Sequence, residues 1–557
     1  MRLCMQSFEY IVASSLEKVF LDERPCGCAL VGKQTVLKGD AYIFQIALKG
    51  EDEKAPLPVL LLPRAVGENA SRMTVRQVKS VPSELPTYCS ERLDEGYLRT
   101  TAGLYPDLLD EITPDNPLCA EGTRWKSVWV EYTPDADEAA GEKALAVQFL
   151  DTKGNDYGTV TVNVVLSDAA LDAQTLIFTE WFHCDCIATR YGVEALSDAH
   201  FALMEKYIQN AVRNGINMLL TPIFTPPLDT AVGGERPTVQ LVGVTRDGEE
   251  YRFDFSLLER YIRMCRRCGI EYFEISHLFA QWGARFAPKV MAHDGGEYRR
   301  IFGWETDAAS PEYRAFLALL LPELVAELRR LGVAERCYFH VSDEPNLSVL
   351  EAYASAANFL RPYLEGFGML DALSEYAFYK QGLVTTPVCA TNCIEPFLEN
   401  GVENLWAYYC CGQTKGVSNR FFAMPSARNR CIGIQLYRYG IKGFLHWGYN
   451  FWYSQYSLRR IDPFLTTDAG MAFPSGDAFA VYPGKDGPLE SIRERVFAQA
   501  ISDHRALCTL ERLRGRDFVL ALLEEMVGEV RFDRSDYTDQ QLLALRDRVN
   551  AEIEAAG

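Results

Sequence analysis

The chain has 557 residues, with 56 basic against 76 acidic side chains, a formal net charge of −20, and a hydrophobic share of 48%. That length calls for two or three domains, since a single core rarely exceeds about 250–300 residues, and the apolar share excludes a disordered chain. The acidic excess excludes nucleic acid and anionic membrane surfaces as partners and favours a neutral substrate. No apolar run approaches the roughly 18 residues that would cross a bilayer. The start, Met1 to Gln6, leads into Ser7, Glu9 and Glu17 without the apolar segment of a signal peptide. The 16 cysteines are spread over the whole length, many within apolar stretches such as Met264-Cys265-Arg266-Arg267-Cys268, the pattern of reduced, buried thiols. These features predict a cytoplasmic protein, with a second copy of the chain as the one protein partner left open.

Residues 1–168 are predicted to form a β-sandwich-like domain. Segments 41–48 and 58–63 are short apolar strands bounded by Gly, Asp and Pro, and 126–132 alternates apolar and polar residues. After a polar loop at 134–142, strand 144–150, a turn at 151–155 and strand 158–165 follow. Segment 104–109 reads as an ordered linker to the sheet edge. From residue 169 the rhythm changes to strand, helix, strand, and 169–505 is read as a (β/α)8 barrel. Its strand candidates are 176–182, 217–221, 272–276, the stretch from 338, 372–378, 405–409 and 443–447. Helices at 199–214, 255–268 and 311–331 each run into a glycine, Gly215, Gly269 and Gly332. A barrel is favoured over an open doubly wound sheet because polar and aromatic residues recur at strand ends and no glycine-rich phosphate fingerprint is present. Residues 506–557 form a C-terminal helical extension packed on the barrel.

The stretch Tyr338-Phe339-His340-Val341-Ser342-Asp343-Glu344-Pro345 reads as a barrel strand delivering two acids. Neighbours on a regular strand face opposite sides, so Asp343 and Glu344 serve one site only where the strand stops. Pro345 has no N–H for a ladder, so pairing should end there, at the C-terminal mouth where barrel chemistry sits. The bland alternative is a polar turn before a helix.

Other candidates surround this pair. Trp181, Trp282, Trp447, Tyr449 and Trp452 sit at or just past strand candidates, with Asn450 among them, and such rings stack on flat sugar faces. Loops 222–230 and 416–420 offer hydrogen-bonding groups, Asn419 and Arg420 included. His183-Cys184-Asp185-Cys186 mixes metal-ligand types, but its spacing is wrong for zinc and no second cluster completes a tetrahedral set. No metal and no cofactor are expected, and His183 is read as pointing into the pocket from the end of the first barrel strand.

The motif His340 to Pro345, the run Lys442-Gly443-Phe444-Leu445-His446-Trp447-Gly448-Tyr449-Asn450-Phe451-Trp452 and the run Ser475 to Gly484 resemble those of glycoside hydrolase family 123. The likeness spans about residues 100 to 513. It implies a β-sandwich followed by a (β/α)8 barrel, and a retaining β-N-acetylgalactosaminidase in which the substrate's own 2-acetamido group is the nucleophile. In that scheme Asp343 polarises the acetamido N–H, and Glu344 protonates the leaving oxygen and then activates water. Trp447, Tyr449 and Trp452 would wall the acetamido pocket with Asn450 as a polar contact. His183, Trp181, Glu274, Trp282, His340, Asn419 and Arg420 complete the expected substrate-binding set. Two alternatives stay open: a conventional glycosidase pairing Glu344 with a distant acid, Glu180, Glu274 or Asp371, and a non-catalytic carbohydrate-binding protein.

Overall fold

The computed structural model describes residues 7–27, 34–54 and 57–557, so the sequence features at residues 1–6 lie outside the described residues. The N-terminal part is two five-stranded sheets. One orders Phe8–Ser14, Tyr42–Gly50, Lys126–Tyr132, Met73–Ser83 and Gly103–Glu111; the other orders Gln34–Lys38, Asp156–Ala170, Gly141–Asp151, Val59–Val66 and Leu118–Ala120. Alternation makes the core. Leu145, Val147 and Phe149 from one sheet meet Phe44, Ile46, Val128 and Val130 from the other in a single buried cluster. Segment 104–109, expected as a linker, is instead the edge strand Gly103–Glu111. Pro106 disguised it, because a proline without an N–H is tolerated at an edge position and reads as a breaker.

The second part is a closed barrel of eight parallel strands: Ile177–Glu180, Met218–Thr221, Tyr272–Ile275, Cys337–Phe339, Gly368–Leu373, Thr386–Ala390, Trp406–Tyr408 and Gly443–His446. The eighth strand closes on the first with Thr179 opposite Leu445. Met218, Leu220, Leu370, Val388, Trp406 and Leu445 fill the interior, while the alternate residues Leu219, Phe273 and Phe444 face the outer helices. The regular one-helix crossover expected of a (β/α)8 barrel is not kept throughout. A four-stranded sheet built from two hairpins, Gly243–Asp247 with Glu250–Asp254 and Val290–Asp294 with Glu297–Phe302, grows from the connections flanking the third strand. The fifth strand stops at Leu373, and residues expected to continue it fold into the short helix Tyr376–Lys380. The sixth strand was not anticipated, because Pro387 inside a five-residue run looks like a loop.

The proposed boundary at 505/506 falls inside one continuous helix, Ile492–Arg514, so the chain has no break there. That helix and its successors, Arg516–Val527 and Asp539–Ala556, share a core with Leu37 and Trp129 of the sandwich and Cys431 and Ile434 of the barrel. Buried charges join the two parts. Arg493 grips Asp107 of the edge strand with two nitrogens, at 2.8 and 2.9 Å. Glu131 of the sandwich meets Arg76, Arg213 and Arg495. Burial pushes the Glu131 carboxyl up, but Arg495, Arg76 and Arg213 outweigh it and hold the group well below its ordinary 4.5. A carboxyl depressed in the folded state contributes stability above its unfolded value and loses it as the pH falls. The denaturation midpoint should therefore drop steeply below about pH 4.5, and less steeply in Glu131→Gln. Equal acid slopes in the two proteins would refute this role.

Candidate active site

A cavity of about 320 Å³ opens at the C-terminal ends of the barrel strands. Trp181 follows the first strand, Asp343 and Glu344 follow the fourth, Tyr408 ends the seventh, and Leu445 and Trp447 come from the eighth; all line this cavity. Loop residues Asp229, Trp282, Cys410, Cys411 and Tyr456 complete much of the wall.

The ladder of the fourth strand ends at Phe339, six residues before Pro345 and earlier than expected. The reason is a side chain. Asp371 of the fifth strand takes the backbone N–H of Val341 at 3.1 Å and of Ser342 at 3.4 Å, in place of a neighbouring carbonyl. The chain then leans on the segment after the third strand, where the Trp282 N–H donates to the Asp343 carbonyl at 3.0 Å. Glu344 has φ 42°, in the left-handed region that costs a non-glycine residue on the order of 1–3 kcal/mol. This kink breaks strand alternation, and two neighbouring acids face one cavity. Asp229, Trp282 and Tyr456, on the same cavity wall, also have positive φ, at 40°, 63° and 59°.

Burial pushes the Asp343 carboxyl far up, and Glu344 adds to it, while His340 works the other way. Glu344 is also pushed up by burial, opposed by the Tyr408 hydroxyl, which donates to Glu344 Oε1 at 2.8 Å. Two neighbouring acids on one cavity wall cannot both ionise readily, so the pair holds a proton above the usual carboxylate range. That is the state a general acid needs.

Beneath the pair lies a second layer. His340 is fully buried between two carboxylates, with Nε2 2.6 Å from Glu274 Oε1 and Nδ1 2.8 Å from Asp371 Oδ1. Burial alone would neutralise the ring, but the hydrogen bonds to Asp371 and Glu274 prevail and raise its value to about 10. Glu274 also accepts from the Trp181 indole N–H at 2.6 Å and the Thr179 hydroxyl at 2.7 Å, which fixes Trp181 in the cavity wall. His340 and Glu274, expected as substrate contacts, are therefore supports: the His340 nitrogens are spent on Glu274 and Asp371, and the Glu274 oxygens on His340, Trp181 and Thr179. His277, His340 and Asp371 bring potential metal-ligand atoms within 4.8 Å of one another. A shared metal is disfavoured, because the two imidazoles stack 4.0 Å apart and only 20° from parallel, so their in-plane lone pairs run side by side and do not converge on one ion, and both His340 nitrogens are already bonded to Asp371 and Glu274. Burial and the His340 charge keep His277 neutral.

The other expected contacts divide in the same way. Trp282 and Trp447 line the cavity, and the Trp447 indole donates to Asp477 Oδ2 at 2.9 Å. His183 does not reach the cavity: its Nε2 bonds the Trp447 carbonyl at 3.0 Å and its Nδ1 meets Arg236 at 3.1 Å. Asp185 pairs with the same Arg236, so the His-Cys-Asp-Cys run is a helix start held by an ion pair. Asn450 bonds both the N–H and the carbonyl of His183, at 2.8 and 3.1 Å. Tyr449 points away from the barrel axis, its hydroxyl reaching the Tyr207 carbonyl and Asn210, and Trp452 packs on Tyr207. Regular alternation would put Tyr449 on the same side as Trp447, but the eighth strand ends at His446 and the chain beyond it is irregular, held by an isolated bridge of Asn450 to Phe479, so both rings turn out. Arg420 is buried against Glu180 at 2.6 Å and His446 at 2.8 Å, and Asn419 holds the carbonyls of Cys410 and Gln413. These residues shape the loops, and Glu180, Glu274 and Asp371, the candidates for a distant second acid, are all locked in buried pairs outside the cavity lining. Sequence reasoning overlooked Tyr408, though it ends a recognised strand, and Asp229, though its proline-rich loop was flagged; Tyr456 and the Cys410-Cys411 pair carried no signal.

A family model described as the catalytic domain of glycoside hydrolase 123 matches residues 181–510. A family 123 glycoside hydrolase from Clostridium perfringens, solved in a study of glycolipid glycan hydrolysis, superposes with a TM-score of 0.70 at 14% identity, covering 99% of this chain and 98% of that one. At that identity the likeness speaks for the fold alone. A family 5 mannosidase from Rhizomucor miehei gives a TM-score of only 0.32 at 11% identity, covering 61% of this chain and 95% of its own. A search of curated proteins gave no match.

Proposed function

Because the chain belongs to glycoside hydrolase family 123 and is a glycosidase, we propose that it is a retaining β-N-acetylhexosaminidase, of the galactosaminide type, in which the substrate's 2-acetamido oxygen is the nucleophile. The observation that carries this reading is the shared cavity of two sequence neighbours, Asp343 and Glu344, while Glu180, Glu274 and Asp371 are tied up elsewhere. A tethered acetamido group supplies attack at high effective concentration, so the protein need not supply a carboxylate nucleophile. Asp343 accepts the acetamido N–H as positive charge develops, with the His340 cation beneath favouring its ionised form. Substrate binding thereby moves the shared proton towards Glu344, which passes it to the leaving oxygen and then takes one from water. Trp181 and Trp447 give the sugar apolar walls with fixed orientation.

The test is a set of aryl β-glycosides with and without the acetamido group. Cleavage should require that group, with the galactosaminide preferred over its 4-epimer, and a thiazoline mimic of the cyclised intermediate should inhibit competitively. Cleavage of sugars lacking the acetamido group, with indifference to the thiazoline, would favour the conventional mechanism. We place the enzyme in a reducing compartment, on the support of its free thiols, several of them buried; recovery from outside the cell would end that placement. Among the described residues no helix is long and apolar enough to cross a membrane.

A further inference from the structure

The catalytic scheme above uses two of the three carboxylates that line the cavity. The third is Asp229. Its Oδ2 accepts the Tyr456 N–H at 3.0 Å, and its carbonyl accepts the Ser457 hydroxyl at 2.7 Å. The Ala231 N–H returns a bond to the Tyr456 carbonyl at 3.0 Å, so two loops are joined at this point by one contact through the Asp229 side chain and two through the backbone of its loop. Three of these four residues carry strain: φ is 40° at Asp229, 59° at Tyr456 and 54° at Ser457. Strain of this kind persists where surrounding contacts hold it, and it gathers at functional sites. Tyr456 stands edge-on to Trp282, ring centroids 5.9 Å apart, and Trp282 is bonded to the Asp343 backbone, which links Asp229 to the catalytic pair through a continuous wall.

Charge is the second observation. Among the described residues that line the cavity, none is Lys, Arg or His, against three carboxylates. The cation beneath, His340, is already matched by Glu274 and Asp371. Burial raises the Asp229 carboxyl to about 6, so it is ionised at neutral pH and adds a negative charge to the wall. A further anion brought against such a wall meets repulsion that salt screens in part.

We propose that Asp229 is a specificity-determining residue that restricts the cavity to uncharged glycans and turns away sulfated or otherwise anionic sugars. The inference rests on the glycosidase reading but not on the choice of nucleophile. Asp229→Asn suits the test: asparagine tolerates positive φ and keeps an oxygen for the Tyr456 N–H, so the loops stay joined while the charge is lost.

The measurement is kcat/KM for a neutral aryl glycoside that the wild type cleaves and for its 6-O-sulfated counterpart, at low and high salt. The wild type should disfavour the sulfate by about 100-fold at low salt, and less at high salt. In Asp229→Asn the gap should narrow by about tenfold or more, equivalent to about 1.4 kcal/mol. A gap that stays within about threefold of the wild type, or a wild type that cleaves both substrates equally, would overturn the proposal. Loss of neutral-substrate cleavage as deep as that in a Glu344 variant would overturn it too, by making Asp229 the nucleophile. An inert acetamido glycoside would count against the proposed function alone, because the pair is chosen from whatever neutral glycoside is cleaved.

Discussion

Glu344→Gln should lower kcat/KM for an N-acetyl-β-hexosaminide with a poor leaving group by roughly 10²–10⁴-fold, the usual worth of a positioned proton donor. Glutamine keeps the volume and can still meet the Tyr408 hydroxyl, so the fold should survive and the loss should lie in chemistry. The leaving group supplies an internal control. A dinitrophenolate leaves without protonation, so the first step should suffer far less with that substrate, and the second step, attack by water, should become limiting. Azide needs no base and should restore turnover, giving a β-glycosyl azide with retained configuration. Asp343→Asn should fail differently, because asparagine cannot stabilise the charge developing on the acetamido group, and neither a good leaving group nor azide should rescue it. Full activity in either variant would sink the assignment. Rescue of both by azide would also refute the division of labour between the two acids.

Much of the architecture could be read from periodicity. Helical spacing with a terminal glycine located Asp198–Arg213, Ser256–Cys268 and Pro311–Arg330 to within about a residue, since an amphipathic stripe and a left-handed cap are local signals. Strands that contain proline, Gly103–Glu111 and Thr386–Ala390, were lost because tolerance of a missing N–H depends on the neighbouring chain. The candidate site followed the same rule. Asp343 and Glu344 stood out through their motif and Trp181 and Trp447 through their place after strands. Tyr449 and Trp452 are aromatic too and lie only a few residues further on, yet they turn away from the cavity, because the chain beyond His446 is no longer a strand and its path depends on the distant segment that Asn450 meets at Phe479. His340, Glu274 and Asp371 looked like substrate contacts or spare acids. Only the side-by-side pairing of the third, fourth and fifth strands brings them together, and burial then makes His340 the partner of both acids.

That buried clamp carries the remaining large effect. His340 has a folded value of about 10 against an ordinary 6.5, with Asp371 and Glu274 as the cause that overcomes burial. A group raised on folding contributes stability that is complete below its unfolded value and lost as the pH rises through the folded one. The protein should therefore lose stability between about pH 6.5 and 10, and His340→Gln should remove most of that slope. The substitution should also cost about 3–5 kcal/mol at neutral pH, because it strands two carboxylates in the barrel interior without their cation. Denaturant midpoints across this range measure both quantities. The catalytic consequence runs through Trp181, whose indole is bonded to Glu274, and through Asp343, which loses the cation beneath it. In the fraction that remains folded, kcat should fall more than KM rises, and the acid limb of the pH profile should move upward as Asp343 holds its proton more tightly. A variant with wild-type stability at pH 7, or with an unmoved acid limb, would show that the imidazolium is not the charge on which the floor of this site depends.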